Sequence, residues 1–299
     1  PQVPEAVKSC QTAGIHVIMI TGDNEITAAA IGQRTGIIKD GYQIYAPEDT
    51  IHENSLVLRG KDLAALSDDM VEALLPKIAV IARVTPTDKN RLVRIAKHAG
   101  HVVGMTGDGI NDAPALRSAD VGFAMGSGTD ITREAGDIVI TDDNFASITK
   151  AILFGRTIFE SIRKFIVFQL IMNLSAVGVS MLGPLFHIPN PVTVIQMLWV
   201  NIIMDTLGSL AFAGEAPLSE YMTRQPIARN ESILNGKMLR QILFSAAYTI
   251  ALCMIFLTSD RTWYRYGHGN MVYFLTAFFA LFIFCGICNA FTVRTSRIN

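Results

Sequence analysis

Met105–Leu116 reads MTGDGINDAPAL, a short apolar run that breaks into a turn of Gly and Asp and then into Ala-Pro-Ala-Leu. The run is His101–Met105, and it ends in Thr106-Gly107-Asp108-Gly109. The same punctuation occurs once earlier, where Ile15–Ile20 ends in Thr21-Gly22-Asp23. Ile78–Ala82, Val121–Ala124 and Ile138–Ile140 are further short apolar runs. Helix-like stretches separate them: Pro4–Thr12, Ile26–Thr35, Leu63–Leu75 and Thr87–Ala99. Continuous apolar strands alternating with helices predict an α/β fold with a parallel sheet covered on both faces. Ligands of such sheets bind at the carboxyl ends of the strands, and both Thr-Gly-Asp triplets fall there.

The residues at those ends suit phosphate and a hard cation. Thr21 offers a hydroxyl at a strand-to-helix turn, and the amides opening the next helix face an anion. Gly22 lets the backbone come close, and Asp23 completes the triplet. Asp108 and Asp112 flank Gly109-Ile110-Asn111 and bring two carboxylates and an amide to one turn. That set suits Mg²⁺, which takes one or two carboxylates together with waters and phosphate. Lys89, after the turn Thr85-Pro86-Thr87, places a positive charge for the same phosphate. Taken singly, Asp and Gly at turns are ordinary turn residues, so the reading rests on their combination.

Hydrophobic residues make up 50% of the 299 residues, and the excess lies after Phe165. Residues 1–150 read as a soluble domain and 151–299 as a membrane domain. Four apolar stretches, roughly Phe165–Phe186, Val192–Ala213, Leu239–Leu257 and Met271–Phe291, each approach the ~20 residues that span hydrocarbon. Pro184, Pro189 and Pro191 predict a tight hairpin between the first two. Arg156, Arg163, Lys164, Arg224, Arg229, Lys237, Arg240, Arg294 and Arg297 flank one side of the membrane, and Arg261 and Arg265 the other. The first side is expected to be cytoplasmic, with the soluble domain. The net charge of −1 gives no sign of nucleic-acid binding. Cys10, Cys253, Cys285 and Cys288 form neither a metal-ligand nor a disulfide pattern.

Polar residues inside the spans carry the second site. Asp205 is a carboxylate well inside the second span, where an ionisable group is costly and marks function by default. Asn201 lies four residues earlier on the same helical face. Asn173 lies inside the first span with Gln169 one turn before it. Asn173 and Asp205 are each about eight residues, or about 12 Å, from the cytoplasmic end, so they are expected to share one site. The amides equally suit hydrogen bonding between helices. Gly208 and Ser209 offer a place for the helix to loosen and present carbonyls.

Together these residues resemble the P-type ATPases. The likeness runs through Thr21-Gly22-Asp23, Arg83-Val84-Thr85-Pro86-Thr87-Asp88-Lys89, Met105–Leu116, Gly122-Phe123-Ala124-Met125-Gly126 and Asp142-Asp143-Asn144-Phe145, and on into the spans. It implies a haloacid-dehalogenase-like, Rossmann-like phosphorylation domain followed by an α-helical transmembrane bundle, the spans being family helices five to eight. It implies Mg²⁺ and ATP as cofactors, ATP being bound largely by a domain outside this chain. By the same resemblance Thr21, with Gly22 and Asp23, contacts the transferred phosphoryl group and Lys89 neutralises it. Asp108 holds Mg²⁺, and Asn111 and Asp112 support that site. The family's nucleophilic Asp-Lys-Thr-Gly-Thr segment does not occur here. The chain begins at Pro1 and carries no signal peptide, so a C-terminal piece is expected, inactive alone, whose partner is the N-terminal portion of the same pump.

Leu198-Trp199-Val200-Asn201 followed by Asp205 resembles the sixth helix of calcium pumps, and Asn173 matches the fifth. Where the endoplasmic-reticulum type carries a Glu three residues after that Asn, this chain has Ala176. Where that type has a carboxylate in the eighth helix, this chain has Gly286, leaving that neighbouring position empty. The pattern looks more like the plasma-membrane type and its bacterial relatives, with one transported Ca²⁺. The expected location is a plasma or inner membrane. A pump for Na⁺, H⁺ or Mn²⁺ stands as an alternative within the family. Outside it stand a non-catalytic membrane fragment and a membrane-tethered phosphatase, which would need an Asp-x-Asp motif that does not occur.

Overall fold

The computed structural model describes residues 2–47, 50–52, 55–188 and 190–294; Pro1, Pro189 and Arg297 lie outside them. The chain divides into two units, one of residues 1–155 with 217–231 and one of residues 156–216 with 232–299.

The first unit runs α1 (Val3–Thr12), β1 (Met19–Ile20), α2 (Glu25–Thr35), β2 (Gln43–Ile44), β3 (Leu56–Arg59), α3 (Gly60–Ala65), α4 (Asp68–Leu74), β4 (Ile78–Ala82), α5 (Pro86–His98), β5 (Gly104–Gly107), α6 (Ala113–Ser118), β6 (Val121–Met125), α7 (Asp130–Ala135) and β7 (Ile138–Ile140). Every strand pairing is parallel, but in two sheets rather than the expected one, β1-β4-β3-β2 and β5-β6-β7. The two Thr-Gly-Asp strands, β1 and β5, are each the edge of a sheet. Ile78–Ala82 is buried at every position, as an inner strand covered on both faces must be. Leu56, Leu58, Leu63, Ile78 and Ile81 form its core.

Local chemistry sets the helix boundaries. Thr85 and Asp88 form a capping box, with Pro86 at the first turn, so α5 starts directly after the turn that follows β4. The stretch expected as one helix over Leu63–Leu75 is two. The Ser67 hydroxyl accepts from the Met70 amide at 3.3 Å and starts α4 afresh. Residues 217–231, between the second and third apolar stretches, belong to this unit. Arg229 pairs with Asp120, whose carboxylate also lies 3.2 Å from Lys97 Nζ and accepts from the Val103 amide at 2.9 Å. Burial alone would raise the pKa of Asp120; the Val103 amide, Lys97 and Arg229 outweigh it and hold the carboxyl below its ordinary value.

The second unit is helical. α8 (Phe145–Leu182) begins in the first unit and continues without a break into a 3₁₀ turn at Gly183–Phe186. Its 38 residues span about 57 Å, more than a bilayer core needs. α9 (Val194–Ile203) opens on a Thr193/Gln196 capping box and passes into a π-helical segment, Met204–Gly208, then α10 (Ser209–Ala213). α11 (Gly236–Thr258), the single turn α12 (Asp260–Thr262) and α13 (Met271–Arg294) complete it. Among the described residues four helices, Phe145–Phe186, Val194–Ala213, Gly236–Thr258 and Met271–Arg294, are long and apolar enough to cross a membrane. Ile171, Met172, Phe278 and Phe282 are fully buried where they pack together. At one end of the bundle Lys164 Nζ meets Glu215 Oε2 at 2.5 Å, and Arg294 approaches the same carboxylate at 3.4 Å.

Candidate phosphoryl and cation sites

In the first unit one ion pair joins the turn after β4, which is strapped to Thr21-Gly22-Asp23, to the turn after β5. Lys89, in the first turn of α5 after β4, places Nζ 2.5 Å from Asp112 Oδ1, just beyond β5; the side chains are 19% and 8% exposed. A charge this buried persists only when paired, and the short contact supplies the pair. Gly107 makes room for it, since a Cβ there would lie 2.5 Å from Asp112 Cβ. Asp112 Oδ2 also accepts from the Gly109 amide at 3.4 Å. At the other end the Thr21 hydroxyl accepts from the Asp23 amide at 3.1 Å and donates to Asp23 Oδ2 at 3.2 Å. The Arg83 and Val84 amides bond the Asp23 and Thr21 carbonyls at 3.1 and 3.3 Å, strapping the end of β4 to Thr21-Gly22-Asp23. Asp108 and Asn111 are exposed beside the pair. Two residues before Asp108, Thr106 Oγ1 is buried with no hydrogen-bond partner.

In the second unit Asn173 and Asn201 line one narrow cavity with Met172, Ala176, Met197, Val200, Met204 and Phe282. Asp205 does not line it. Met204 turns inward, and the next residue, about 100° further round, is exposed. Asp205 instead accepts from Gln169 Nε2 at 2.6 Å. The helix does loosen there, beginning at Met204 rather than at Gly208, as a π segment of the kind frequent at functional sites. Hydroxyls meet carbonyls in and just before it: Thr206 Oγ1 donates to Ile202 O at 2.7 Å, and Ser209 Oγ to Asp205 O. The place facing Gly286 is not empty. A Cβ on Gly286 would lie 3.0 Å from Met172 Cε, so a buried methionine fills it. Among the described residues no three His, Cys, Asp or Glu side chains gather around a point.

Sequence reasoning left Gln169 undecided between packing and site. Its position one turn before Asn173 was the available signal. It missed Met172, which is one more apolar residue in an apolar run, and Glu215, whose partners Lys164 and Arg294 are distant in sequence.

With a parallel α/β unit carrying two Thr-Gly-Asp strand ends and apolar stretches carrying one carboxylate, the chain is similar in both parts to cation-transporting ATPases. Residues 1–120 and 92–152 match families described as haloacid dehalogenase-like hydrolase, and residues 189–299 match the family described as cation transporting ATPase, C-terminus. The chain is 42% identical over 284 residues to plasma membrane calcium-transporting ATPase 1 of Mus musculus, 90% of this chain and 22% of that protein. It is 44% identical to plasma membrane calcium-transporting ATPase 3 of Homo sapiens, over the same shares. It is 41% identical to plasma membrane calcium-transporting ATPase 4 of Bos taurus, covering 90% of this chain and 23% of that one. The chain thus spans less than a quarter of the length of these curated relatives, and it is a membrane protein with a haloacid-dehalogenase-like first unit.

Proposed function

We propose that this chain supplies part of the phosphoryl site and part of the cation site of an ATP-driven Ca²⁺ pump. It would work with an N-terminal portion that carries the nucleophilic Asp and binds ATP. The observation that carries the reading is Asp205, the single carboxylate within the apolar stretches Phe165–Phe186, Val192–Ala213, Leu239–Leu257 and Met271–Phe291, lying next to a residue of the cavity that presents Asn173 and Asn201. Ca²⁺ takes six to eight oxygens, carboxylates among them, and this set supplies one charged and two neutral donors. The 41–44% identity to plasma membrane calcium-transporting ATPases supports Ca²⁺ as the ion and a plasma or inner membrane as the location. Met172 filling the place beside Gly286, together with Ala176, supports a single ion. Lys164, Arg163 and Arg294 at one end of the bundle support a cytoplasmic face there.

At the phosphoryl site the residues of this chain bind and orient. Asp112 fixes the ammonium of Lys89 where a transferred phosphoryl group would meet it, and Thr21, on the Gly22-Asp23 turn, offers its hydroxyl. Phosphoryl transfer is mostly positioning and charge stabilisation, so these groups fit the task. Asp108, exposed at the end of β5, fits Mg²⁺, with the unpartnered Thr106 hydroxyl on the same side by strand alternation and Asn111 nearby. Mg²⁺ bound there supplies neutralisation of phosphoryl oxygens.

The test is phosphorylation of membranes carrying the protein expressed from its full reading frame. Asp205→Asn is expected to abolish Ca²⁺-dependent phosphorylation from ATP while phosphorylation from inorganic phosphate still forms, because that reaction needs the phosphoryl site and not the cation site. Unchanged Ca²⁺ affinity in Asp205→Asn would make Asp205 a packing residue and end the reading.

A further inference from the structure

Gln169 lies one helical turn before Asn173 on α8, and its Nε2 donates to Asp205 Oδ1 at 2.6 Å. Sequence alone permits a packing amide there, but a packing amide has no reason to choose the one carboxylate within the apolar stretches. The cavity is lined by Asn173, one turn after Gln169, and by Met204, next to Asp205, so each partner of this hydrogen bond has a near neighbour in its wall. The π segment carries Asp205, whose own carbonyl and that of Thr206 accept from the Ser209 hydroxyl, while its side-chain carboxylate is held by Gln169.

A glutamine head carries a donor and an acceptor on one planar group. Facing a bare carboxylate, it turns its N–H inward, as here. Two oxygens bound to one Ca²⁺ at about 2.4 Å, at adjacent ligand angles, lie roughly 2.8–3.4 Å apart. The head of Gln169 already sits at nearly that separation from Asp205 Oδ1. Rotating the amide would bring Oε1 to the same place without moving the helix.

We propose that Gln169 is a further ligand of the transported cation: its amide holds Asp205 when the site is empty and turns its carbonyl oxygen to the ion when the site is filled. The inference rests on the Ca²⁺-site reading above. One rotation does two things. It neutralises the need of Asp205 for a partner between cycles, and it adds a neutral oxygen to a site with one charge.

The experiment uses membranes of the protein expressed from its full reading frame and reads the Ca²⁺ concentration for half-maximal phosphorylation from ATP. Phosphorylation from inorganic phosphate without Ca²⁺ reports the fold. Gln169→Leu removes donor and acceptor, and is expected to raise the half-maximal Ca²⁺ concentration about 10-fold or more, the effect of losing one oxygen ligand. Gln169→Glu keeps an oxygen at the same reach and is expected to stay within about 3-fold of the parent, a rescue that a packing role would not give. Gln169→Met replaces the leucine variant if that one loses phosphorylation from phosphate. An unchanged Ca²⁺ requirement in Gln169→Leu, or a lowered one as for a latch that only competes with the ion, overturns the inference. So does Gln169→Glu failing as badly as Gln169→Leu. Asp205→Asn runs in parallel. Its loss of Ca²⁺ dependence beside an unaffected Gln169→Leu overturns this inference alone, whereas its retention of affinity overturns the underlying reading.

Discussion

Lys89 in the first unit meets a carboxylate of opposite charge at 2.5 Å, whereas Asp205 in the second meets a neutral amide at 2.6 Å. The two contacts are alike in length and different in kind. At an effective dielectric of about 20, two unit charges 4 Å apart attract by about 4 kcal/mol. A hydrogen bond from a neutral donor to a charged group contributes about 1.5–3 kcal/mol. The first arrangement suits a charge that must stay in place while a phosphoryl group arrives. The second leaves the carboxylate its full charge and a partner that is easily displaced, as a cation site must if the ion is to enter and leave. A half-buried ammonium is thus held by an opposite charge in one unit, and an exposed carboxylate by a neutral amide in the other.

Asp108→Asn tests the first side of that comparison and carries the largest expected effect. Loss of a carboxylate that fits Mg²⁺ is expected to lower phosphorylation from ATP by about 3–5 kcal/mol, or about 10²- to 10⁴-fold. Rapid-quench measurement of phosphoenzyme checks it, and a near-normal yield would remove Asp108 from the metal site.

Gln169→Lys imposes the first unit's kind of pairing on the second. An ammonium beside Asp205 would form an internal ion pair, and Ca²⁺ would have to displace it. The half-maximal Ca²⁺ concentration is expected to rise about 100-fold, consistent with a charge-charge term of a few kcal/mol. A Ca²⁺ titration of phosphorylation reads this directly, and an unaltered curve would mean that charge at that place is irrelevant to the ion.

Asp120→Asn probes a permanent pairing away from either site. Asp120, with its side chain 18% exposed, holds Lys97 and Arg229 and thereby residues 217–231. The loss is expected to be about 1–2 kcal/mol at pH 7. Because the folded-state pKa of Asp120 is depressed, its contribution is complete above the ordinary carboxylate value and is lost as pH falls through the folded value. Thermal unfolding of parent and variant should therefore differ at pH 7 and converge in acid. A difference that does not shrink with acidification would assign the effect to packing.

The smallest effect is expected at Gly286. In Gly286→Ala the new methyl meets the flexible end of Met172 at 3.0 Å, which can move, so the cost is expected to be about 0.5–1 kcal/mol. Heat inactivation in detergent measures it. Ala176→Glu is expected to leave bound Ca²⁺ at one per phosphoenzyme, since Met172 still occupies the place that would have to admit a second set of oxygens. Direct ⁴⁵Ca²⁺ binding decides that point.

The sequence by itself determined the parallel α/β unit, the Thr-Gly-Asp turns at its strand ends and the apolar helices, because each follows from local chemistry. Ile78–Ala82 and Ile138–Ile140 are strands within the limits their apolar runs set, and Thr85-Pro86 and Asp88 start α5 where capping requires. Asp205 was legible because a carboxylate in an apolar run stands out by composition alone. Only the tertiary structure decided how those parts meet. Two sheets rather than one depend on strand edges that no local pattern encodes, and the split of Leu63–Leu75 turned on a single serine cap. Lys89 and Asp112 are 23 residues apart, and Gln169 and Asp205 are 36 apart. Met172 fills the space beside Gly286 from a different helix. Contacts of this kind depend on where helices pack rather than on which residues they contain, and packing is settled by the whole core at once.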